Sequence, residues 1–500
     1  MELQLRTNEN GISERDSKNH DAFEKMIGSF GRYQLRLCLL IFLTKFPIAF
    51  HQMAIIFLAP KVEYTCGDAT NEKCPCPNPV YDTSIFNRTI IMEWDLICDR
   101  KWLTSFTQTL FQLGTLIGSV LFGMASDRFG RKKPFLVAIV IQVIMGISAA
   151  YIPDFWAFTF VRFLIGVSVG GTMVIGFVLV MEYVGIEYRD VVSALYQAPF
   201  NLGHMLLPVY GYFLRDFSDF QLGISIPTIV LLSFFILLPE SPRWLIAVKE
   251  TDRAIGILEK VAKVNKRSVD IRKEVATYQE TSQKNQTRKG NILDLFRTPN
   301  LRKNILCMAF NWLSCSYCFY GVSQYVGQLS GNVFINVASS ASVTLLGSLA
   351  SIPLMRILGR KTIVILFNFI CALCLIILCL VPEGISSVVF ACIGVVSSFI
   401  VFVVVYLYCT ELFPTVVRNA ALGFSSMMAR VGSMIAPFVI ELRDVALWLP
   451  PFAFAVLPLL GALITFLLPE TKGCELMTTI EEGEKFGKKV ENTLKNTQNK

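Results

Sequence analysis

Runs of about twenty apolar residues recur along nearly the whole chain, and in a hydrocarbon layer about 30 Å thick such a run is read as a spanning helix. Twelve are found, near 37–58, 102–124, 135–152, 156–180, 191–213, 222–238, 304–326, 333–355, 362–381, 386–409, 420–440 and 448–468. Charged residues are 17% of the 500 and hydrophobic ones 53%, whereas soluble domains carry about a quarter charged residues. The fold class expected is therefore an all-α membrane protein.

Placement of charge says more than the net +8. The N-terminus "MELQLRTNENGISERDSKNH" has no apolar h-region, so no cleavable signal peptide is expected. Basic residues gather at "RFGRKK" (128–133) and through 243–303, while the 61–99 loop carries Glu63, Asp68, Glu72, Asp82, Glu93, Asp95 and Asp99. Basic loops mark the cytoplasmic side, so both termini and the long middle segment are expected inside, and the basic charge is read as topology rather than nucleic-acid binding. The expected layout is a cytoplasmic N-terminus 1–36, a first six-helix bundle 37–238 carrying an extracellular loop 61–100, a cytoplasmic linker 239–303, a second bundle 304–468 and a tail 469–500.

Of fourteen cysteines, Cys66, Cys74, Cys76 and Cys98 share the outer loop, where an oxidising setting favours two disulfides. Cys74 and Cys76 are too close to pair comfortably, which leaves 66–74 with 76–98, or 66–76 with 74–98. No His accompanies "CPC", so no metal is expected. "NRT" at Asn87 is a glycosylation acceptor on the outer side, and "NQT" at Asn285 falls in the cytosolic linker and is expected to stay bare.

The chain repeats internally. "EYVGIEYR" (Glu182, Arg189) and "ELFPTVVR" (Glu411, Arg418) lie 229 residues apart, as do the glycines of "FGRKK" (Gly130) and "LGRKT" (Gly359). "LLPESP" and "LLPETK" follow at an offset of 230. Two parallel six-span repeats resemble the plan of the major facilitator superfamily, whose substrate site lies at mid-membrane between the halves. "GMASDRFGRKK" (123–133) is similar to that superfamily's loop between spans 2 and 3, G-x-x-x-D-R-x-G-R-[RK]. The resemblance implies a charge cluster of Asp127, Arg128, Gly130 and Arg131, with Glu182, Arg189, Glu411 and Arg418 at the repeat positions, that latches the cytoplasmic gate. The second copy has Arg356 where the acid would stand.

Within the superfamily, "PESPRWL" and "PETKG" also resemble sugar porters. "YDTSIFNRTIIMEWDLICDRKW" (81–102), the cysteine-bearing loop and "LFRTPNLRKN" (295–304) resemble the organic cation/anion/zwitterion transporters, solute carrier family 22.

An ionisable group inside a span is costly and faces a cavity or a partner. Lys45, His51, Arg162, His204 and Arg430 are of this kind. Arg162 opens "RFLIGVSVGG", whose glycines suit close helix packing, and is read as structural or coupling-related. Arg430, near mid-span in "ARVGS", matches a family position where cation-preferring members carry Asp and anion- or carnitine-type members Arg. A guanidinium fork holds a carboxylate in two parallel hydrogen bonds and repels a lone ammonium. His51 and Gln52 match a polar pair of the anion branch, and Lys45 lies two turns earlier. Ser348 stands where that branch often has a second cation, which makes monocarboxylates and zwitterions easier to accept than dicarboxylates. The resemblance also implies an aromatic lining of Phe319, Tyr320 and Tyr212, joined by Phe402 and Tyr406, which lie four apart on one helix face.

The function expected is a plasma-membrane carrier of small organic ions, favouring anions or zwitterions, working by rocking of two halves. Its partners are the substrate and the bilayer. No G-x-x-x-x-G-K-[ST] loop and no nucleophile–base set is present, so no ATP site, cofactor or enzyme is expected. A cation carrier of the same family, a sugar porter and a non-transporting sensor are the alternatives.

Overall fold

The computed structural model describes residues 22–66, 74, 76, 78–284, 292–474, 477 and 479–486. Asn285 lies outside them. Twelve apolar helices make two bundles of six. The first contains α1 (Arg32–Leu58), α2 (Trp102–Phe129), α3 (Lys132–Ser148), α4 (Phe155–Tyr183), α5 (Ala198–Phe213) and α6 (Phe217–Leu237). The second contains α7 (Pro299–Val326), α8 (Val333–Ile357), α9 (Arg360–Leu380), α10 (Ile385–Leu412), α11 (Thr415–Glu441) and α12 (Leu449–Thr465). The end of the molecule bearing the disulfide loop is called the loop face below, and the opposite end the linker face.

Spans α4, α6 and α8 all start at the loop face behind an Asp or Asn that caps the free amides of the first turn. Asp154 accepts from Ala157 N at 2.9 Å, Asp216 from Ser218 N at 2.9 Å and Asn332 from Phe334 N at 3.0 Å. Two helices depart from regularity near a proline, which removes a donor. Span α1 breaks at Thr44, before Pro47, and the Thr44 hydroxyl donates to Ile41 O at 2.6 Å. Span α6 tightens into a 3₁₀ stretch over Ile226–Ser233, with Pro227 at its start. In α11, around Pro437, the carbonyls of Met434 and Pro437 accept from Thr109 at 2.8 Å and Ser105 at 3.1 Å on α2. The run expected at 191–213 is two helices, Ile186–Leu195 and α5, hinged at Tyr196 and Gln197.

Spans α2 and α4 touch backbone to backbone: a Cβ at Gly118 would lie 2.0 Å from Val167 O, and one at Gly170 2.2 Å from Thr115 O. The glycines after Arg162 thus serve close packing, as their spacing implies.

The loop pairs β1 (Tyr64–Cys66) with β2 (Pro79–Tyr81) antiparallel, and the disulfides are Cys66–Cys76 and Cys74–Cys98, the second of the two open pairings. Arg88 fastens the loop to the start of α6 through both oxygens of Asp216, at 3.0 and 3.2 Å. Phe86 packs 5.7 Å from Phe334 at the head of α8, which also stacks on Phe57 of α1 at 5.8 Å. The loop therefore covers a seam between the two bundles. At the linker face, helices Thr251–Val264 and Ile271–Lys284 pack on the first bundle, where Asn265 donates to Ile27 O at 2.8 Å and Gln34 Oε1 at 2.7 Å.

Gly130 precedes α3 at φ +93°, where a Cβ would meet Glu240 Oε2 at 2.4 Å. Gly130→Ala is expected to destabilise by about 1–3 kcal/mol from backbone strain, read as a lower thermal midpoint of the purified protein. Gly256→Ala, inside a surface helix with open space around its Cα, is the control that should hold or raise the midpoint, Ala being the better helix former.

Candidate functional site

Arg430 comes from the middle of α11 and is 8% exposed. Its Nη2 lies 3.6 Å from the Met173 sulfur on α4, in the other bundle. The hydroxyls of Tyr320 on α7 and Tyr406 on α10 lie within its electrostatic reach. Lys45 of α1, 1% exposed, faces Arg430 across the gap between bundles, close enough to interact with it. The Lys45 ammonium sits 3.7 Å from the ring centre of Tyr196, at the hinge before α5. Such a contact returns about 2 kcal/mol once desolvated. The Tyr196 hydroxyl donates to Met173 O at 3.2 Å. Among the described residues no carboxylate pairs with Lys45 or Arg430.

Aromatic rings complete the surround. Trp312 of α7 lies 4.2 Å from Tyr406 and 6.0 Å from Phe402, and Phe319 lies 5.0 Å from both Tyr320 and Phe399. Gln52 of α1 donates to the Tyr320 hydroxyl at 2.7 Å, a hydrogen bond between the bundles. Lys45 and Gln52 are seven residues apart, about two helical turns, so both face the second bundle.

Two expected residues lie elsewhere. His51 is rotated by about 100° from Gln52 and points into the first bundle, where a Cβ on Gly146 would meet its Cε1 at 3.3 Å. Tyr212 is 50% exposed at the loop-face end of α5, 5.6 Å from Phe334. The inner face of α5 runs through Phe200, His204, Leu207 and Gly211, so Tyr212 falls one residue off it. Four residues of the site escaped the sequence reading: Tyr196, Trp312, Met173 and Phe399. Trp312 and Tyr196 carried a signal, since a buried Trp or Tyr needs a partner for its polar atom; Met173 and Phe399 carried none.

At the linker face the charge cluster is built twice. In the first bundle Arg131 donates to Glu182 at 2.8 Å and Asp127 at 2.6 Å, while Glu240 accepts from the backbone N of Arg131 at 2.7 Å. In the second, Arg360 donates to Glu411 at 2.8 Å and Glu470 accepts from Arg360 N at 2.9 Å. Glu240 and Glu470 place their anions on the free amides at a helix start, where the macrodipole favours them. Burial disfavours the Arg131 charge, but the hydrogen bonds and charges of Glu182 and Asp127 outweigh it and raise its pKa above the ordinary guanidinium value. Arg128 takes no part: it is exposed, with its guanidinium over the neighbouring Phe129 ring. Arg189 and Arg418 donate to the carbonyls of Val184 and Phe413, five residues earlier in each case. All these contacts lie within one bundle. Among the described residues, polar contacts that cross between bundles from mid-span to the loop face include Arg430–Met173, Gln52–Tyr320, Thr109–Met434, Ser105–Pro437 and the Lys101–Asp444 ion pair.

Residues 37–482 match the family model described as "Sugar (and other) transporter". The chain is 31% identical to an organic cation transporter-like protein of Drosophila melanogaster, over 93% of this chain and 92% of the relative. It is 34% identical to solute carrier family 22 member 3 of Mus musculus over 80% and 72% of the two chains. To a beta-alanine transporter of Drosophila melanogaster it is 32% identical, over 83% and 70%. The inward-open xylose transporter XylE from E. coli superposes with a TM-score of 0.67 at 19% identity, covering 90% and 99%, a likeness of fold.

The Gln52–Tyr320 bond should couple the bundles energetically. A double-mutant cycle of Gln52→Leu and Tyr320→Phe is expected to give a coupling of about 1 kcal/mol in unfolding of the purified protein; additive effects would deny the contact.

Proposed function

The chain belongs to the sugar (and other) transporter family of the major facilitator superfamily, among the organic ion transporters of solute carrier family 22 type, and on that premise we propose that it carries small organic anions or zwitterions. The observation that carries this reading is the pair Arg430 and Lys45, buried on opposite bundles with no carboxylate partner among the described residues. A site of two unneutralised cations attracts a carboxylate and repels a lone ammonium. The guanidinium of Arg430 would hold the carboxylate by a bidentate pair, with Lys45 as a second point charge.

The rings of Trp312, Phe402, Tyr406 and Phe319 suit the remainder of the molecule, by apolar contact or by cation–π contact with the ammonium end of a zwitterion. Similarity to a protein named a beta-alanine transporter, whose named substrate has one carboxylate and one amine, supports the zwitterion form of the reading. The second reading is a carrier of organic cations, favoured by the name of the organic cation transporter-like relative.

In this proposal the loop face is outside the cell and the linker face in the cytosol, at the plasma membrane. The two disulfides suit an oxidising side, and the basic linker suits the cytoplasmic one. Asn87, exposed in the loop beside the α6 contact, would carry the glycan. Transport would proceed by rocking of one bundle against the other about the central site.

Uptake of labelled carboxylates, zwitterions and quaternary ammonium compounds into cells expressing the chain tests the reading. Carboxylate or zwitterion uptake should exceed ammonium uptake. Arg430→Ala should lower its kcat/KM about ten- to a hundredfold, the loss of a hydrogen-bonded charge contact of about 1.5–3 kcal/mol. Lys45→Met should act in the same direction by less. Ammonium uptake that dominates and survives Arg430→Ala would establish the cation reading instead; hexose competition would establish a sugar porter.

A further inference from the structure

Arg162 is a buried charge that the central site does not use. It lies on α4, 3% exposed, with the rings of Phe111 and Phe158 at 5.4 and 6.0 Å. Its Nη2 donates to Gln108 Oε1 at 2.8 Å, and its Nε has no partner. Among the described residues no carboxylate pairs with it. A guanidinium buried without a counter-charge costs several kcal/mol, more than ring contacts return.

Other buried polar groups of α1, α2 and α4 are unpaired. His51 of α1, 2% exposed, is near enough to interact electrostatically with Arg162, and its Nε2 has no partner. Thr159, one turn before Arg162 on α4, is buried with its hydroxyl unpaired. Gln112, one turn after Gln108 on α2, is buried with both amide atoms unpaired. An N–H of Arg162 and the imidazole of His51, with a hydroxyl and an amide one helical turn along α4 and α2, offer donors suited to an anion. Ring carbons of Phe111 and Phe158 and the close contact of His51 with Gly146 favour a monatomic anion over a carboxylate with an organic tail.

We propose that the first bundle holds a small inorganic anion, chloride, between α1, α2 and α4, against Arg162 and His51 and apart from the site at Arg430. The anion acts as counterion to Arg162. It also sits at the head of a hydrogen-bonded path to the central site. Arg162 bonds Gln108, Gln108 Nε2 donates to Gln52 O at 3.4 Å, and Gln52 donates to Tyr320, which lies against Arg430. Its presence would hold Gln52 and Tyr320 in place whichever organic ion is carried.

The test is thermal unfolding of the purified full chain in sodium chloride against sodium gluconate at constant ionic strength. Wild-type protein should show a saturable, chloride-specific rise in midpoint; Arg430→Ala should keep it, and Arg162→Met should lose it. No rise in wild type, or an unchanged saturable rise in Arg162→Met, overturns the proposal. If Arg162→Met does not fold, wild-type crystals grown in bromide decide. An anomalous peak at hydrogen-bonding distance from Arg162 Nε supports the site, and a peak only at Arg430, or none, overturns it. An equal rise with sodium acetate together with no bromide peak overturns the choice of an inorganic anion.

Discussion

A polar group inside the hydrocarbon layer has no water to turn to and must find its partner within the chain. That constraint orders the backbone first. Where Pro47 and Pro437 interrupt the helical ladder, nearby carbonyls are met by hydroxyls, from Thr44 in one case and from Thr109 and Ser105 in the other. The second case joins α2 to α11, so these hydroxyls also make a contact between bundles. Close helix approach follows from the same economy of space: α2 and α4 meet at glycines because their backbones, not their side chains, form the contact.

The constraint orders the charges next. The carboxylates Glu182, Glu240, Glu411 and Glu470 sit at helix ends on the linker face and meet arginine and free amides. Each set ties the ends of three segments within one bundle. The second set holds without any acid at Arg356, which explains how the motif can be incomplete there: the strong contacts are those of Glu411 and Glu470. Asp127 has a side chain 77% exposed, and an ion pair so exposed is worth little. The clusters thus tie each bundle together as a body.

Much of this was open to sequence reasoning because it is periodic. The spans follow from hydropathy, and the repeat offset of 229 anticipates that Arg131–Glu182 and Arg360–Glu411 are equivalent bonds. Glu240 and Glu470 lie in the repeated "PES" and "PET" stretches, but their role needed the fold, since each crosses from after one span to the start of another. Register limits the reading of the site. His51 and Gln52 are neighbours in the chain, yet one points into the first bundle and the other to the second, and Tyr212 misses the inner face of α5 by one residue. Tyr196 was hidden for another reason: it sits at a break in what reads as one continuous apolar run.

The placement of Lys45 bears on how such a site could work. Ser348 leaves the middle of α8 without a cation, yet α1 supplies one from the opposite bundle. On the proposed reading the two positive charges that meet a substrate anion belong to different bodies. Bringing those bodies together around an empty site opposes like charges in a medium of low dielectric, where repulsion is strong. An anion between them reverses the sign of that interaction. A ligand shifts a conformational equilibrium only by its differential affinity for the two states, and a site split between the moving bodies is one in which that difference is large. The same division makes a permanent counterion at Arg162 useful: it neutralises the charge inside the first bundle, so that the field at the seam is set by Lys45 and Arg430 alone.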